Sequence, residues 1–401
     1  MKPYPHQVDA IAEVESKLSQ LGCVYVAGEM RTGKTLISLL ATKHYNNVLI
    51  VTKKNAMSGW NETIEATELS NRTIINYQSI HKIEGTFDCI ILDESHTNIS
   101  SFPQMATTAK KVFAMTKNSD VVFLSGTPSP ESFAQLYHQF AMAHSKNPFA
   151  RYKDFYEWFD TFGIEQSFEI NDRVVISYKQ TKAVEVLEAI KPFIVTLTQH
   201  EADFASEVAI QAVYVDAEPM LYEMMKDLKT DSHIAIADME IVAKTPLSKM
   251  QKIHQLSSGT LKTELLSFDV STHKVDWISS NCNSYKKVLI LTNYIQEVKL
   301  LLKYIPNATD DLNEFQFGSK KYFVGNAKSY CEGTDFSYCD VLVLYSLNFS
   351  SAVFQQSVQR LSHKLREDNP TVYVLMTANS IDELVFDSVN SKKDFTSRYY
   401  L

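Results

Sequence analysis

An α/β chain in two domains is predicted, and three observations predict it. Apolar runs of strand length end repeatedly in polar loops, the habit of open parallel sheets whose ligands sit beyond the strands' carboxyl ends. The loop Gly28-Glu29-Met30-Arg31-Thr32-Gly33-Lys34-Thr35 joins one such run to an amphipathic segment. The length of 401 residues is long for one core and suits two domains of ordinary size.

Bulk composition narrows the class. Hydrophobic residues make up 45% and charged residues 21%, as in a globular protein with an ordinary core. No apolar run is long enough to span a bilayer, and Met-Lys-Pro-Tyr opens without a signal-peptide core, so a soluble cytoplasmic protein with no membrane partner is expected. The five cysteines are scattered without C-x-x-C pairs and read as reduced thiols, neither a zinc site nor a disulfide framework. A net charge of -8 argues against a surface that grips phosphate everywhere and leaves room for a local basic groove with strong salt dependence.

Val24-Tyr25-Val26-Ala27 reads as a buried strand, and Ile37, Leu40 and Ala41 give the next segment a helical spacing. Between them the G-x-x-x-x-G-K-T pattern has the context a phosphate cradle needs. Gly28 and Gly33 let the backbone bend so that N–H groups of Met30, Arg31, Thr32 and their neighbours face an anion, at the positive end of the new helix. Lys34 would reach the β- and γ-phosphates, and Thr35 would sit on Mg²⁺. An ordinary glycine turn with a surface lysine is the plain alternative.

Upstream, Val8, Ile11 and Val14 recur at spacings of three in a helical stretch opened by Tyr4-Pro5-His6-Gln7. Gln7 carries donor and acceptor together, the pair that reads the two-faced edge of adenine. Val48-Leu49-Ile50-Val51 is a second strand, and the Lys53 and Lys54 that follow are either phosphate-backbone contacts or a solvated loop. Thr73-Ile74-Ile75, then Asn76-Tyr77-Gln78-Ser79, repeats the strand-and-polar-loop pattern.

Cys89-Ile90-Ile91-Leu92 delivers Asp93 and Glu94 to a carboxyl end. With the upstream loop, Asp93 reads as a Mg²⁺ holder acting through water and Glu94 as the general base on the attacking water. His96 either couples this site to its surroundings or is structural. Val121-Val122-Phe123-Leu124 ends in Ser125-Gly126-Thr127-Pro128, which reads as a hydroxyl relay beside the acids or as a strand-ending turn.

The order Gln7, GEMRTGKT, DESH, SGTP resembles that of the superfamily 2 helicases and translocases. PYPHQ, VLIVTKKNAMSGW, NYQSI and SGTP are most similar to the Swi/Snf-like branch, in the compact form typical of phages and other viruses. The resemblance implies two tandem RecA-like lobes, parallel sheets flanked by helices, with ATP between them and nucleic acid across their top. Lobe one would cover 1–205, with an insertion at about 142–195, and lobe two 206–401. A phage-encoded protein acting in the host cytoplasm would fit this compact layout.

Within the insertion, Tyr152, Phe155, Tyr156 and Phe159 read as the buried face of a helix in preference to a base-stacking platform. Phe168-Glu169-Ile170 and Arg173-Val174-Val175-Ile176 flank Asn171-Asp172 as a β-hairpin, either a wedge at a duplex junction or an extra sheet edge. Pro192 and the polar run Thr198 to Asp203 mark the end of lobe one and a hinge. Ala209–Val215 begins a new sheet, and residues 220–262 look helical throughout, with a Met-rich core face.

Val288 to Thr292, with Asn293 at its polar end, resembles the family's fourth motif, and Glu332-Gly333-Thr334-Asp335 its fifth, where a glycine turn meets nucleotide and nucleic-acid backbone. Tyr330 and Cys331 stand where glycines are usual there, and Asp335 replaces an asparagine. Gln356 and Arg360 match the sixth motif, Q-x-x-x-R, whose arginine neutralises charge on the transferring phosphoryl group at a gain of about 10³–10⁵ in rate. His363 occupies the second arginine's place, so Arg360 leads as the finger, with Arg366 and then His363 behind it. A solvated basic helical face bearing Arg360, Lys364 and Arg366 is the alternative.

The resemblance thus implies an ATP- and Mg²⁺-dependent DNA helicase or translocase. Lys34, Asp93, Glu94 and Arg360 would be catalytic. Gln7, Gly28, Met30, Arg31, Thr32, Gly33, Thr35, Asp335 and Gln356 would bind nucleotide, and Lys53, Lys54, Gln78, Asn293 and Gly333 nucleic acid. An RNA-dependent ATPase and an ATP-gated remodeller of a protein assembly are the competing expectations.

Overall fold

Two parallel sheets of six strands each dominate the computed structural model, which describes residues 2–391 apart from 171–172, 203–207, 237–238, 264–265, 331–333, 363–365 and 367. The chain passes from one compact unit to the other between positions 204 and 205.

In the first unit the strands are β1 (Cys23–Gly28), β2 (Val48–Thr52), β3 (Arg72–Asn76), β4 (Cys89–Asp93), β5 (Asp120–Ser125) and, after the hairpin β6 (Gln166–Ile170) and β7 (Arg173–Ser177), β8 (Ile194–Leu197). Their order is β3-β2-β4-β5-β1-β8, every pairing parallel. Parallel strands covered on both faces read as unbroken apolar runs, which is why Val24–Ala27, Val48–Val51 and Ile90–Leu92 are buried to the last side chain. The reversal of strand order beside β1 opens a crevice at the carboxyl edge, where open α/β sheets place their ligands.

Three local expectations change. The opening helix, Pro5–Leu21, buries Gln7, Ala10, Val14 and Leu18, while Val8 is exposed; the buried stripe starts one residue earlier than the apolar spacing suggested because Gln7 turns inward. The helix Lys34–Ala41 buries Leu36, Ile37, Leu39 and Ala41 but leaves Leu40 half-exposed. In the helix Phe155–Phe162 the buried stripe is Phe155, Trp158, Phe159 and Phe162; Tyr156 is exposed and Tyr152 precedes the helix. These rings, with Phe149, pack into the same core cluster as Tyr25 and Phe123 of the sheet and Phe140 of the helix Gln135–Ala141. The stretch set apart as an insertion therefore supplies much of one core layer, and its last residues, Ile194 and Val195, pair with Tyr25 and Val26 in the sheet.

The second unit repeats the plan with β9 (Ala209–Val215), the hairpins β10–β11 (His233–Ile236, Met239–Val242) and β12–β13 (Thr260–Lys262, Ser267–Asp269), then β14 (Val288–Thr292), β15 (Ala308–Thr309), β16 (Tyr322–Asn326), β17 (Val341–Leu344) and β18 (Thr371–Thr377). Its main sheet runs β15-β16-β14-β17-β18-β9, again all parallel. The expectation of helix throughout 220–262 is corrected. Helices span Pro219–Thr230 and Pro246–Ser257 only, and the alternation His-Ile-Ala-Ile and Met-Glu-Ile-Val between them buries Ile234 and Ile241 as a two-stranded ribbon. Leu221, Met225, Leu228, Ile234, Ile241, Leu256 and Leu261 close a small core of their own.

That small subdomain is fastened to the sheet by buried polar groups. Lys274 is wholly buried, and its Nζ donates to Asp382 Oδ2 at 2.7 Å, to Leu375 O at 3.1 Å and to Tyr345 O at 3.2 Å. Ser257, at the end of the subdomain's second helix, donates to Asp382 Oδ1 at 2.5 Å, and Tyr345 Oη donates to Ser258 O at 2.7 Å.

Candidate phosphate-loop site

The loop after β1 takes its shape from residues that Gly33 alone accommodates. Gly33 has φ 90°, in the left-handed region, and caps the helix that begins at Lys34. A Cβ at Gly33 would meet Gln7 Nε2 at 2.0 Å. Gln7 itself is spent on its own chain: Oε1 accepts from Tyr4 N at 3.0 Å and Nε2 donates to Thr32 O at 3.3 Å. Thr32 Oγ1 donates to Glu29 O at 2.8 Å, and Arg31 sits at φ 64°. From the far side Gln199 closes the loop, its N donating to Glu29 Oε2 at 2.6 Å and its Nε2 to Met30 O at 3.0 Å. The run Thr198–His200, expected to be hinge, thus begins as a clamp on the loop. Lys34 Nζ lies across the loop's mouth, donating to Gly28 O at 2.7 Å and Glu29 O at 3.0 Å, and Thr35 is the helix's second residue. An ammonium held on two carbonyls beside a helix N-terminus is a donor set that fits a phosphate chain.

Asp93 ends β4, and Glu94 follows at φ 47° and ψ 46°. Left-handed backbone at a residue with a side chain costs of order 1–3 kcal/mol and persists only where its surroundings hold it. Here the neighbours do so: Ser95 Oγ donates to Gln139 Oε1 at 2.7 Å, and Tyr77 Oη donates to the Asp93 carbonyl at 2.8 Å. Asp93 Oδ2 accepts from Thr52 Oγ1 at 2.6 Å and from Trp60 Nε1 at 2.9 Å. Glu94 Oε2 lies 3.3 Å from His96 Nδ1.

His96 connects the acids to the next strand. Its Nδ1 is 2.7 Å from Ser125 Oγ and its Nε2 3.4 Å from Thr127 Oγ1, while Ser125 Oγ accepts from Thr127 N at 3.0 Å. Burial first, then the positive charges of Lys53 and Lys34, pull its pKa from 6.5 down to about 3. The folded protein therefore keeps His96 neutral where the unfolded chain would bind a proton, so stability is lost as pH falls from about 6.5 toward 3. Denaturant unfolding at pH 7 and pH 5 is expected to show that loss in the first unit, and His96→Gln to remove part of the slope; an unchanged slope would place the pH dependence elsewhere.

The structure brings Gln7, Gly28, Met30, Arg31, Thr32, Gly33, Lys34, Thr35, Asp93 and Glu94 to one edge of one sheet. Lys53 and Lys54 follow β2 and Gln78 follows β3 on that same edge, Lys53 half-buried and the other two exposed. In the second unit Asn293 follows β14, its N accepted by Glu297 Oε2 and Ser346 Oγ, each at 2.9 Å. Asp335 Oδ1 accepts from Ser337 N at 2.9 Å. Cys331, Glu332, Gly333, His363 and Lys364 lie outside the described residues. Arg360 is no part of a solvated basic helix: the helix ends at Val358, and Arg360 is buried in the turn Gln359–Leu361 with Nη1 donating to Thr334 O at 3.1 Å. Gln356 is buried on the same helix. Arg366 donates to Ser337 O, Cys339 O and Leu361 O and pairs with Asp368 at 2.8 Å, which fits a loop clamp.

Reading by motif missed Thr52, Trp60, Tyr77 and Gln199. A signal existed for three of them: Thr52 and Trp60 stand in the run VLIVTKKNAMSGW and Tyr77 in NYQSI.

Two parallel six-stranded sheets, the first with the glycine loop and the acid pair on one edge, are the two-lobed α/β architecture that the motif order led one to expect. The chain is 22% identical over 439 aligned positions, covering 98% of its length, to the SWI/SNF-related matrix-associated actin-dependent regulator of chromatin subfamily A-like protein 1 of Drosophila melanogaster. It spans 55% of that relative. The Sulfolobus solfataricus SWI2/SNF2 ATPase core domain aligns over 99% of this chain and 92% of its own, at 14% identity and a TM-score of 0.43. No protein-family model matches. In its motif order and in this relative, the chain is similar to the Swi/Snf-like branch of superfamily 2.

Proposed function

We propose that this protein is a DNA-directed, ATP-dependent translocase. The observation that carries the reading is the linkage of Glu94, beside Asp93, to the Ser125–Thr127 turn through His96, on the sheet edge that also carries the phosphate loop. In this reading Lys34 leaves its carbonyl partners for the β- and γ-phosphates, and Thr35 and Asp93 hold Mg²⁺. The metal, when bound, neutralises phosphate charge. Glu94 takes the proton of the attacking water, and Arg360 would be the guanidinium that neutralises charge on the phosphoryl group. A change at Glu94 reaches Ser125 and Thr127 through His96, which gives hydrolysis a route to the loops that end the strands.

Lys53, Lys54 and Gln78 would meet the polymer backbone. The test is ATP hydrolysis in the presence of single-stranded, forked and duplex DNA and of RNA, at low and moderate salt. Stimulation by DNA that fades steeply with salt is expected of an acidic protein holding phosphate through a few lysines. Stimulation by RNA alone would overturn the choice of polymer, and none by any polymer would favour a remodeller of protein assemblies.

The β6–β7 hairpin adds a second expectation. Phe168, Val174, Val175 and Ile176 are exposed on a two-stranded ribbon, which is marginal by itself in water. If the ribbon is a wedge, shortening it abolishes strand separation on forked DNA while ATPase activity stays. Equal loss of both activities would count against a wedge.

A further inference from the structure

The two donors that reach the Asp93 carboxylate come from neither its own strand nor the phosphate loop. Thr52 is the last residue of β2, and its Oγ1 donates to Oδ2 at 2.6 Å. Trp60 lies in the helix Met57–Thr67, and its Nε1 donates to the same oxygen at 2.9 Å. Thr52 is fully buried and Trp60 is 2% exposed. An indole N–H only donates, and a buried donor left without an acceptor is costly, so this geometry is held firmly. Among the described residues no hydrogen bond falls on Oδ1. Tyr77, also buried, fixes the main chain beneath by donating to the Asp93 carbonyl.

We infer that Thr52 and Trp60 are positioning residues for Asp93: gripping Oδ2 from two sides fixes the carboxylate's rotation and presents Oδ1 to the shell of a nucleotide-bound Mg²⁺. The inference rests on Asp93 as the metal-holding acid of the function proposed above. Neither residue belongs to the loop that would hold the nucleotide. Their effect is confined to how well the acid's second oxygen is aimed, as outer partners do for metal ligands generally. Because the two donors converge on one atom, either alone leaves the carboxylate free to swing about the remaining bond.

The experiment is equilibrium binding of a fluorescent ATP analogue to the full chain while Mg²⁺ is titrated, with a parallel measurement in excess chelator. For Thr52→Val and for Trp60→Phe, the half-saturating Mg²⁺ concentration is expected to rise by about 10–100-fold. Binding in chelator should stay at the wild-type level, and Thr52→Ser should restore the wild-type Mg²⁺ requirement. Folded variants with an unchanged Mg²⁺ requirement would overturn the inference. So would a loss of binding that is equal with and without Mg²⁺, since that is the mark of disturbed packing. Should Trp60→Phe fail to fold, Thr52→Val, which exchanges one hydroxyl for a methyl, carries the test alone. If the wild-type protein binds nucleotide with no dependence on Mg²⁺, it is the assignment of Asp93 that fails.

Discussion

Lys34→Ala is expected to cut ATP turnover by about 10²–10³-fold or more, the range seen when one preorganised charge-stabilising donor is lost from a site. The ammonium of Lys34 is held at the mouth of the loop by Gly28 O and Glu29 O, so it exchanges these partners for phosphate oxygens close by. Alanine removes the charge and leaves those two carbonyls facing the anion, which weakens nucleotide binding as well as hydrolysis. Glu94→Gln should behave differently. The amide keeps the side chain's size but accepts no proton, so turnover falls by about 10²–10⁴-fold, the usual value of a general base, while nucleotide stays bound. Phosphate release under saturating polymer, alongside retention of labelled nucleotide, separates the two variants. Full hydrolysis by either one would refute the assignment of the site.

The largest structural effect is expected at the second unit's buried ion pair. Lys274→Met leaves Asp382 without its cation in a site that water does not reach, and breaking a buried pair from one side costs about 3–5 kcal/mol. Asp382 also accepts from Ser257 Oγ and from Thr377 N, so the loss loosens the joint between the small subdomain and the sheet. Burial by itself would raise the Asp382 pKa, but Lys274 and His254 outweigh it and hold it below its ordinary value of 3.8. The stabilisation is therefore present above about pH 3.8 and is lost as pH falls through the lower folded-state value. His273 acts earlier: burial, with Lys274 adding to it, lowers its pKa to about 4, so stability already declines below about 6.5 as the unfolded chain takes up the proton. Denaturant unfolding of Lys274→Met at neutral pH is the check. A paired Lys274→Met, Asp382→Leu variant should recover much of the loss, because no buried charge is then left alone. A single variant as stable as wild type would show that the pair contributes nothing.

Most strands of both sheets were legible because they are written in consecutive apolar residues, the mark of a parallel strand covered on both faces; β8 and β15, short and set beside polar loops, were not read. The loop Gly28–Thr35 was legible for the same reason: eight adjacent residues carry the bend, the donors and the charge. Where the reading went wrong, spacing was outweighed by composition. Residues 220–262 hold enough Met and Leu at helical intervals to hide the ribbon His233–Val242, whose two-residue alternation is too short to stand out against two helices. The aromatic stripe was placed three positions too early: Trp158 fills the core, and Tyr156 keeps its hydroxyl near the surface.

The sequence by itself determined the class of fold and the places of the glycine loop and of the acids that share its sheet edge, since each is a local pattern that does not depend on distant residues. Only the tertiary structure decided what holds those groups in place. Gln199 on the loop, Trp60 and Thr52 on Asp93, and Lys274 on Asp382 are separated from their partners by between 33 and 170 positions of chain. A hydrogen bond depends on distance and angle in space, and the order of residues along the chain carries neither until the chain has folded.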